Sequence, residues 1–298
     1  MNQTFVIITP ARNEAAHLER VAESIISQTR RPTRWIIVDD GSTDATEIVI
    51  GTYLKQHGFI RFLRVGGPGS RSFASKARAF RAGVALLADI EYDFIGNLDA
   101  DISLAPEYYE NILKEFLSDP TLGIAGGAVY TQGRRGFTTD DTAEDNVGGA
   151  VQLFRRECFI AVGGYLPLEH GGIDAAAEIL ARMKGWKVKK FPENKVWEHR
   201  LTGSVGNTAI KSMYKLGVRF HTLGYSTGFF ILKSFYRVGS GSSLLGSAAM
   251  LAGFLWARLT RCPLSLPAEA VSHLRSEQAR KLRGWFLREL QLPLRERD

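Results

Sequence analysis

Three apolar runs of this chain end in acidic or polar residues. Thr9-Pro10-Ala11-Arg12-Asn13-Glu14 closes the first, Asp39-Asp40-Gly41-Ser42-Thr43-Asp44 the second, and Asp99-Ala100-Asp101 a later one. Two carboxylates spaced by two at a strand end can converge on one anionic ligand through a divalent cation. Mg²⁺ or Mn²⁺ takes one or two protein carboxylates and completes its shell with phosphate oxygens and water. Such a cation neutralises charge on a departing diphosphate. Singly, each segment has a plainer reading. Asp-Gly favours tight turns, Ser, Thr and Asp cap helices, and a D-x-D triplet also suits a solvated loop.

The elements that must position these residues alternate. Residues 4–9 are short, β-branched and stopped by Pro10, which predicts a buried strand. Leu18, Val21, Ile25 and Ile26 give 15–27 helical spacing. Strand 35–38, helix 44–57 with Asp44 and Glu47 as a capping-box-like pair, strand 59–65, helix 73–87, strand 92–98 and helix 106–117, opened by a proline, follow. This order implies a largely parallel sheet with helices on both faces, whose ligands bind beyond the carboxyl ends of the strands. Further on, 122–130 reads as a strand and 134–149 as a polar loop with the acidic run Asp140, Asp141, Glu144 and Asp145. Then come strand and helix over 151–162, a helix at 174–184, and short strands at 187–191 and 195–199.

The chain has 298 residues, enough for about one or two domains. Its 45% hydrophobic and 23% charged content excludes collagen-like and disordered classes. Cys158 and Cys262 form neither a disulfide framework nor a zinc pattern and fit a reducing compartment. Arg12, Asn13 and Glu14 interrupt the first apolar run before a signal sequence can form. The net charge of +7 is unevenly placed: residues 1–200 hold 24 Lys and Arg against 26 Asp and Glu, and residues 201–298 hold 14 against 5. A nucleic-acid enzyme would carry its basic footprint across the catalytic part, so no nucleic-acid partner is expected.

Taken together, T-P-A-R-N-E, V-D-D-G-S-T-D, N-L-D-A-D-I and Gly171-Gly172-Ile173-Asp174, in this order over residues 4–200, resemble the family 2 glycosyltransferases of the GT-A fold. The resemblance implies a Rossmann-like, mostly parallel sheet flanked by helices. Thr9, Pro10, Arg12 and Glu14 would line a nucleotide pocket, with Asp39 on the base and Asp40 supporting it. Lys76 falls where the family has K-x-x-x-x-N-x-G, with Arg81 in place of the Asn. Asp99 and Asp101 match the D-x-D that holds a metal and the donor diphosphate. Asp174 matches the catalytic aspartate, Ile173 replacing the usual glutamate before it. An acceptor hydroxyl must lose its proton as it attacks the anomeric carbon, and Asp174, also a candidate helix N-cap, would take it. Glu178, one turn on, is an alternative base. His199 would be a further metal ligand, Arg200 would meet the diphosphate, and His170 would face the acceptor. No Q-x-x-R-W motif of processive synthases is present, which favours a non-processive transfer.

The expectation is therefore an inverting transferase using Mn²⁺ or Mg²⁺, a nucleoside-diphosphate sugar donor and a glycan or lipid-linked acceptor. Its catalytic domain would span 1–205, with a nucleotide-binding half at 1–101 and an acceptor half at 102–205. A sugar-phosphate nucleotidyltransferase would carry a glycine- and arginine-rich loop after the first strand, which is absent. A non-catalytic nucleotide-sugar-binding scaffold would not need Asp99, Asp101 and Asp174 together. Residues 206–298 read as a basic, helical, membrane-associating extension. Residues 207–237 alternate basic and apolar, as an interfacial segment or an amphipathic helix packed on the catalytic domain would. Residues 238–257 lack charge over a bilayer's length, but glycines and serines dilute them and basic residues flank both sides. A re-entrant or surface-lying segment is favoured over a single span, with a buried hairpin as the alternative, and 268–292 reads as a basic amphipathic helix. This points to a cytoplasmic enzyme, peripheral or re-entrant at an anionic inner membrane face.

Overall fold

The computed structural model describes residues 3–66, 73–133, 136–139, 143–200, 209–239 and 244–290. Two compact units divide the chain, residues 1–204 and 205–298. In the first, the elements are β1 (Phe5–Ala11), α1 (Ala15–Ile26), β2 (Arg34–Asp40), α2 (Thr46–Gln56), β3 (Ile60–Val65), α3 (Phe73–Ala85), β4 (Phe94–Asn97), β5 (Ile102–Leu104), α4 (Tyr108–Ser118), β6 (Leu122–Gly133), β7 (Gly136–Thr139), β8 (Leu153–Arg155), α5 (Arg156–Val162), α6 (Ile173–Met183) and β9 (Lys187–Glu198).

One sheet runs β3-β2-β1-β4-β8-β6-β9-β5, with β7 on β6. β1 pairs in parallel with β2 and β4, β2 with β3, and β6 with β9. β8 is antiparallel to both β4 and β6, so β1–β4, β6 and β9 all point one way. Their carboxyl ends therefore share one edge. β1 lies in the middle of the sheet and is buried almost throughout, which explains why it reads as a continuous apolar run rather than an alternating one. Beside it, Trp35, Phe94, Phe116, Leu18 and Ile25 form one core.

Several expectations are corrected. Residues 134–149 are not all loop, because β7 pairs Phe137 with Gln132 and Thr138 with Thr131; Asp140 and Asp141 lie outside the described residues. The two strands at 187–191 and 195–199 are one strand, β9, with a register shift opposite Gly127 and Ala128. The three-residue β5 was unread: it is too short for a periodic signal. The Asp44–Glu47 capping box does not form. Asp44 Oδ1 accepts from the Thr46 amide at 3.0 Å, its Oδ2 accepts from the Ala15 amide at 3.1 Å, and Glu47 pairs with Arg64. Asp44 thus ties the start of α1 to the turn before α2.

The second unit holds α7 (Ala209–Thr222), α8 (Thr227–Gly239), α9 (Leu244–Leu259) and α10 (Ala268–Leu290). Phe230 and Phe254 stack at 4.2 Å, and Met250 lies buried with them. Helices α7 and α9 cross at near backbone contact. A Cβ on Gly217 would fall 1.9 Å from the Met250 carbonyl oxygen, and one on Gly253 would fall 2.0 Å from that of Tyr214. Of the uncharged stretch 238–257, residues 240–243 lie outside the described residues. No described helix is long and apolar enough to cross a membrane.

Candidate active site

At the shared carboxyl edge, the loop after β1 is pinned to the loop after β2. Asn13 adopts φ 55°, its amide donates to Ser42 Oγ at 2.9 Å, and its Oδ1 accepts from the Thr43 amide at 2.8 Å. Asn tolerates this left-handed backbone better than most residues. Asp39 is fully buried. Its Oδ1 accepts from the Ser42 amide and hydroxyl. Its Oδ2 has no hydrogen-bond donor among the described residues, Arg64 Nε standing 3.6 Å away. A buried carboxylate oxygen left in this state is an acceptor waiting for a donor. Asp40 and Arg12 face each other at 3.9 Å, and Pro10 pairs with Val38 across β1 and β2. Thr9 departs from expectation: it is fully buried, and its hydroxyl accepts from Trp35 Nε1 at 2.9 Å, so it braces the sheet.

Arg200 joins three segments. Its Nε donates to Asp101 Oδ2 at 2.8 Å, and its Nη2 to both carboxylate oxygens of Glu14. Glu14 and Asp101 are both buried. Burial pulls the Arg200 guanidinium's affinity for its proton down, but the bonds to Asp101 and the charge of Glu14 outweigh this and raise it. The His199 amide donates to the Asp101 carbonyl at 2.9 Å, and its Nε2 lies 2.7 Å from Ser103 Oγ. Burial holds the His199 and His17 imidazoles below their ordinary pKa, leaving both neutral at neutral pH.

The other half of the D-x-D segment turns to a different set. Asp99 Oδ1 meets Lys76 Nζ at 2.6 Å and accepts from Asn97 Nδ2 at 2.9 Å. Asn97 also donates to the Gly149 carbonyl at 2.7 Å, and the Asp99 amide donates to that of Ala150 at 2.9 Å. Asp174 lies directly against Gly149, since a Cβ there would sit 2.7 Å from Asp174 Oδ2. Gly149 is thus the joint between the Asp99 pair and Asp174, and it must be glycine for the carboxylate to lie there. Asp174 stands in the first turn of α6, and Gly172, at φ 82°, is the N-cap in its place.

A cavity of about 310 Å³ collects Lys76, Asp99 and Asp174. Opposite stand residues that the sequence reading missed: Glu198, Lys190, Thr131, Thr139 and Asn146. Thr131 Oγ1 donates to Glu198 Oε2 at 2.7 Å, and burial raises the Glu198 pKa. Four of them are polar residues on β6, β7 and β9, and Asn146 lies outside any strand, so no shared spacing announced them. Asn97 stood inside the N-L-D-A-D motif but was read as strand. Asp101, His199, Arg200, Asp39 and His170 do not line this cavity.

Glu178 is not a base facing it either. It is 2% exposed, and its Oε1 accepts from the Val147 amide at 2.7 Å and from Gln152 Nε2 at 3.0 Å. It fastens the 143–150 segment from behind. Burial pushes its pKa up to about 8, so between about 4.5 and 8 the folded chain keeps a proton that the unfolded chain releases. Stability from this group is present below the unfolded pKa and falls as pH rises through that window. Glu178→Gln, which keeps the accepting oxygen, should flatten the decline in melting temperature between pH 5 and 8 and leave turnover intact. An unchanged slope would place the titration elsewhere.

Among the described residues, no three His, Cys, Asp or Glu side chains gather closely enough to hold a metal ion. Asp99, Asp101 and His199 instead engage Lys76, Arg200 and Ser103. The two carboxylates are nonetheless hard oxygen donors two residues apart. They suit a cation that draws its remaining ligands from a diphosphate and water.

The sequence model of the family described as Glycosyl transferase family 2 matches residues 6–164. The chondroitin synthase of Pasteurella multocida (strain Pm70) is 34% identical over 128 residues, 43% of this chain and 12% of that protein. The β-monoglucosyldiacylglycerol synthase of Synechocystis is 25% identical over 193 residues, 63% of this chain and 38% of that protein. The chain thus matches well under half the length of either relative. Among solved structures, the mannosyltransferase PcManGT of Pyrobaculum calidifontis, in complex with GDP-Man and Mn²⁺, superposes with a TM-score of 0.56. The sequences are 18% identical, and the match covers 94% of this chain and 82% of that one. At that identity the likeness is one of fold.

Proposed function

The chain belongs to glycosyl transferase family 2, and from that premise we propose that it moves a sugar from a nucleoside-diphosphate sugar to an acceptor hydroxyl, inverting the anomeric carbon. The observation that carries this reading is the meeting of Asp99 and Asp174 across Gly149 in one polar cavity. A donor whose diphosphate lies at Asp99 and Lys76 presents its sugar towards Asp174. The unsatisfied Asp39 Oδ2 is an acceptor for an N–H of the base, with Arg12 and Asp40 beside it.

Asp174 takes the proton from the acceptor hydroxyl as that oxygen attacks. Its place in the first turn of α6 fixes its direction. With Asp174 as the base, the acceptor oxygen attacks the anomeric carbon directly, and this single displacement inverts it. Asp99 and Asp101, with His199, would hold a divalent cation, as the Mn²⁺ in the mannosyltransferase structure supports. When bound, that cation neutralises charge on the leaving diphosphate. Glu198, Thr131 and Thr139 offer acceptors and donors to hydroxyls, which suits a glycan headgroup, free or lipid-linked. One relative named for a polysaccharide and one for a glycolipid support both sources.

The test is release of nucleoside diphosphate from a panel of sugar nucleotides with Mn²⁺ or Mg²⁺. We expect slow hydrolysis of one donor, falling at least about 10²-fold in Asp99→Ala, in line with the loss of one group aimed at developing charge. Failure to turn over or bind any donor, with either cation, would overturn the reading.

A further inference from the structure

Helix α9 is apolar on both sides. Ser247, Met250, Gly253, Phe254 and Ala257 are buried in the second unit, while Leu245, Ala248, Ala252, Leu255, Trp256 and Leu259 form an exposed stripe on the other face. Leu245 is 69% exposed and Leu259 81%. At the end of α8, just before α9 in the chain, Phe235 and Tyr236 are 66% and 72% exposed. A helix that is hydrophobic all round is ordinarily covered all round. Charge identifies the cover: no Asp or Glu occurs between Glu198 and Glu269, whereas residues 205–268 carry seven Lys and Arg.

We propose that this face is a lipid-docking surface. α9 lies in the plane of an anionic bilayer, with Leu245, Leu255, Trp256 and Leu259 sunk into the headgroup boundary and the basic residues drawn to the lipid phosphates. A span is not offered, since no described helix meets the length and hydropathy needed to cross. A second copy of the chain is a poor occupant, because it would bring together two copies of the 205–268 segment, which holds seven Lys and Arg and no acid, and like charges across an interface repel. The inference does not rest on the catalytic reading, and its readout needs no turnover.

The experiment is co-sedimentation of the full chain with vesicles of phosphatidylcholine, with and without phosphatidylglycerol, at low and high salt. Binding should require the anionic lipid and weaken with salt. Trp256 fluorescence should shift to the blue, a change lost in Trp256→Phe. Leu245→Ser combined with Leu259→Ser should weaken binding by about tenfold or more with little loss of melting temperature, since the two side chains are 69% and 81% exposed. Three outcomes would overturn the proposal. One is no binding to anionic vesicles at low salt. Another is binding that the double substitution leaves unchanged. The third is a wild-type dimer in solution that the same substitution dissociates.

Discussion

Asp174→Asn is expected to leave donor binding in place and to lower kcat for transfer by about 10²–10⁴-fold, the range spanned by a positioned general base. The amide is the same size, so it still fits against Gly149 and can occupy the same place in the first turn of α6. What it lacks is basicity. The measurement is steady-state transfer with the donor identified from the panel, alongside titration of donor affinity. A variant that keeps more than about a tenth of its turnover would remove Asp174 from the proton's path. Glu178, buried and held by the Val147 amide and Gln152, could not simply replace it. A variant that loses donor affinity to the same degree as turnover would make Asp174 a donor contact instead.

Arg200→Ala carries the second large effect, and it falls on stability. The guanidinium lies between Glu14 and Asp101, whose side chains are 6% and 9% exposed. Removing one partner from a buried ion pair costs about 3–5 kcal/mol, mainly because charge is left uncompensated. Arg200 itself is about a quarter exposed, so about 3 kcal/mol is the better expectation. Denaturant unfolding checks it. Arg200→Lys should recover only part, because an ammonium cannot reproduce the guanidinium's fork onto two carboxylates. A loss below about 1 kcal/mol would mean that water reaches both acids.

The parallel half of the sheet was legible because burial on both faces makes its strands apolar throughout, and each ends in a break that cannot continue a strand, such as Pro10 or Asp40-Gly41. The site residues on those ends, from Arg12 to Asp101, were legible for the same reason. Elsewhere the signal failed for physical causes. The strand β9 hides its continuity behind a register shift, and β7 is wholly exposed, so neither shows a clean alternation. Glu198 and Lys190 are defined as site residues only by which side of β9 they emerge from, and that depends on the shift. Thr9 and Glu178 carried suggestive chemistry, but Trp35 and Val147 claim it. No spacing along the chain announces those partners.

The bridge from Glu14 to Arg200 spans 186 positions. Folding must close nearly the whole catalytic unit before the two acids gain their cation, and contacts of such separation form late and slowly. During synthesis the first strands emerge and can pair while Glu14 and Asp101 still need water around them, so the carboxyl edge of the sheet stays open until β9 is seated. The region matched by the family model, residues 6–164, ends short of both Asp174 and Arg200. Expressed alone, it would carry Glu14 and Asp101 without the cation that bridges them and without Asp174, and is expected to be less stable than the full chain.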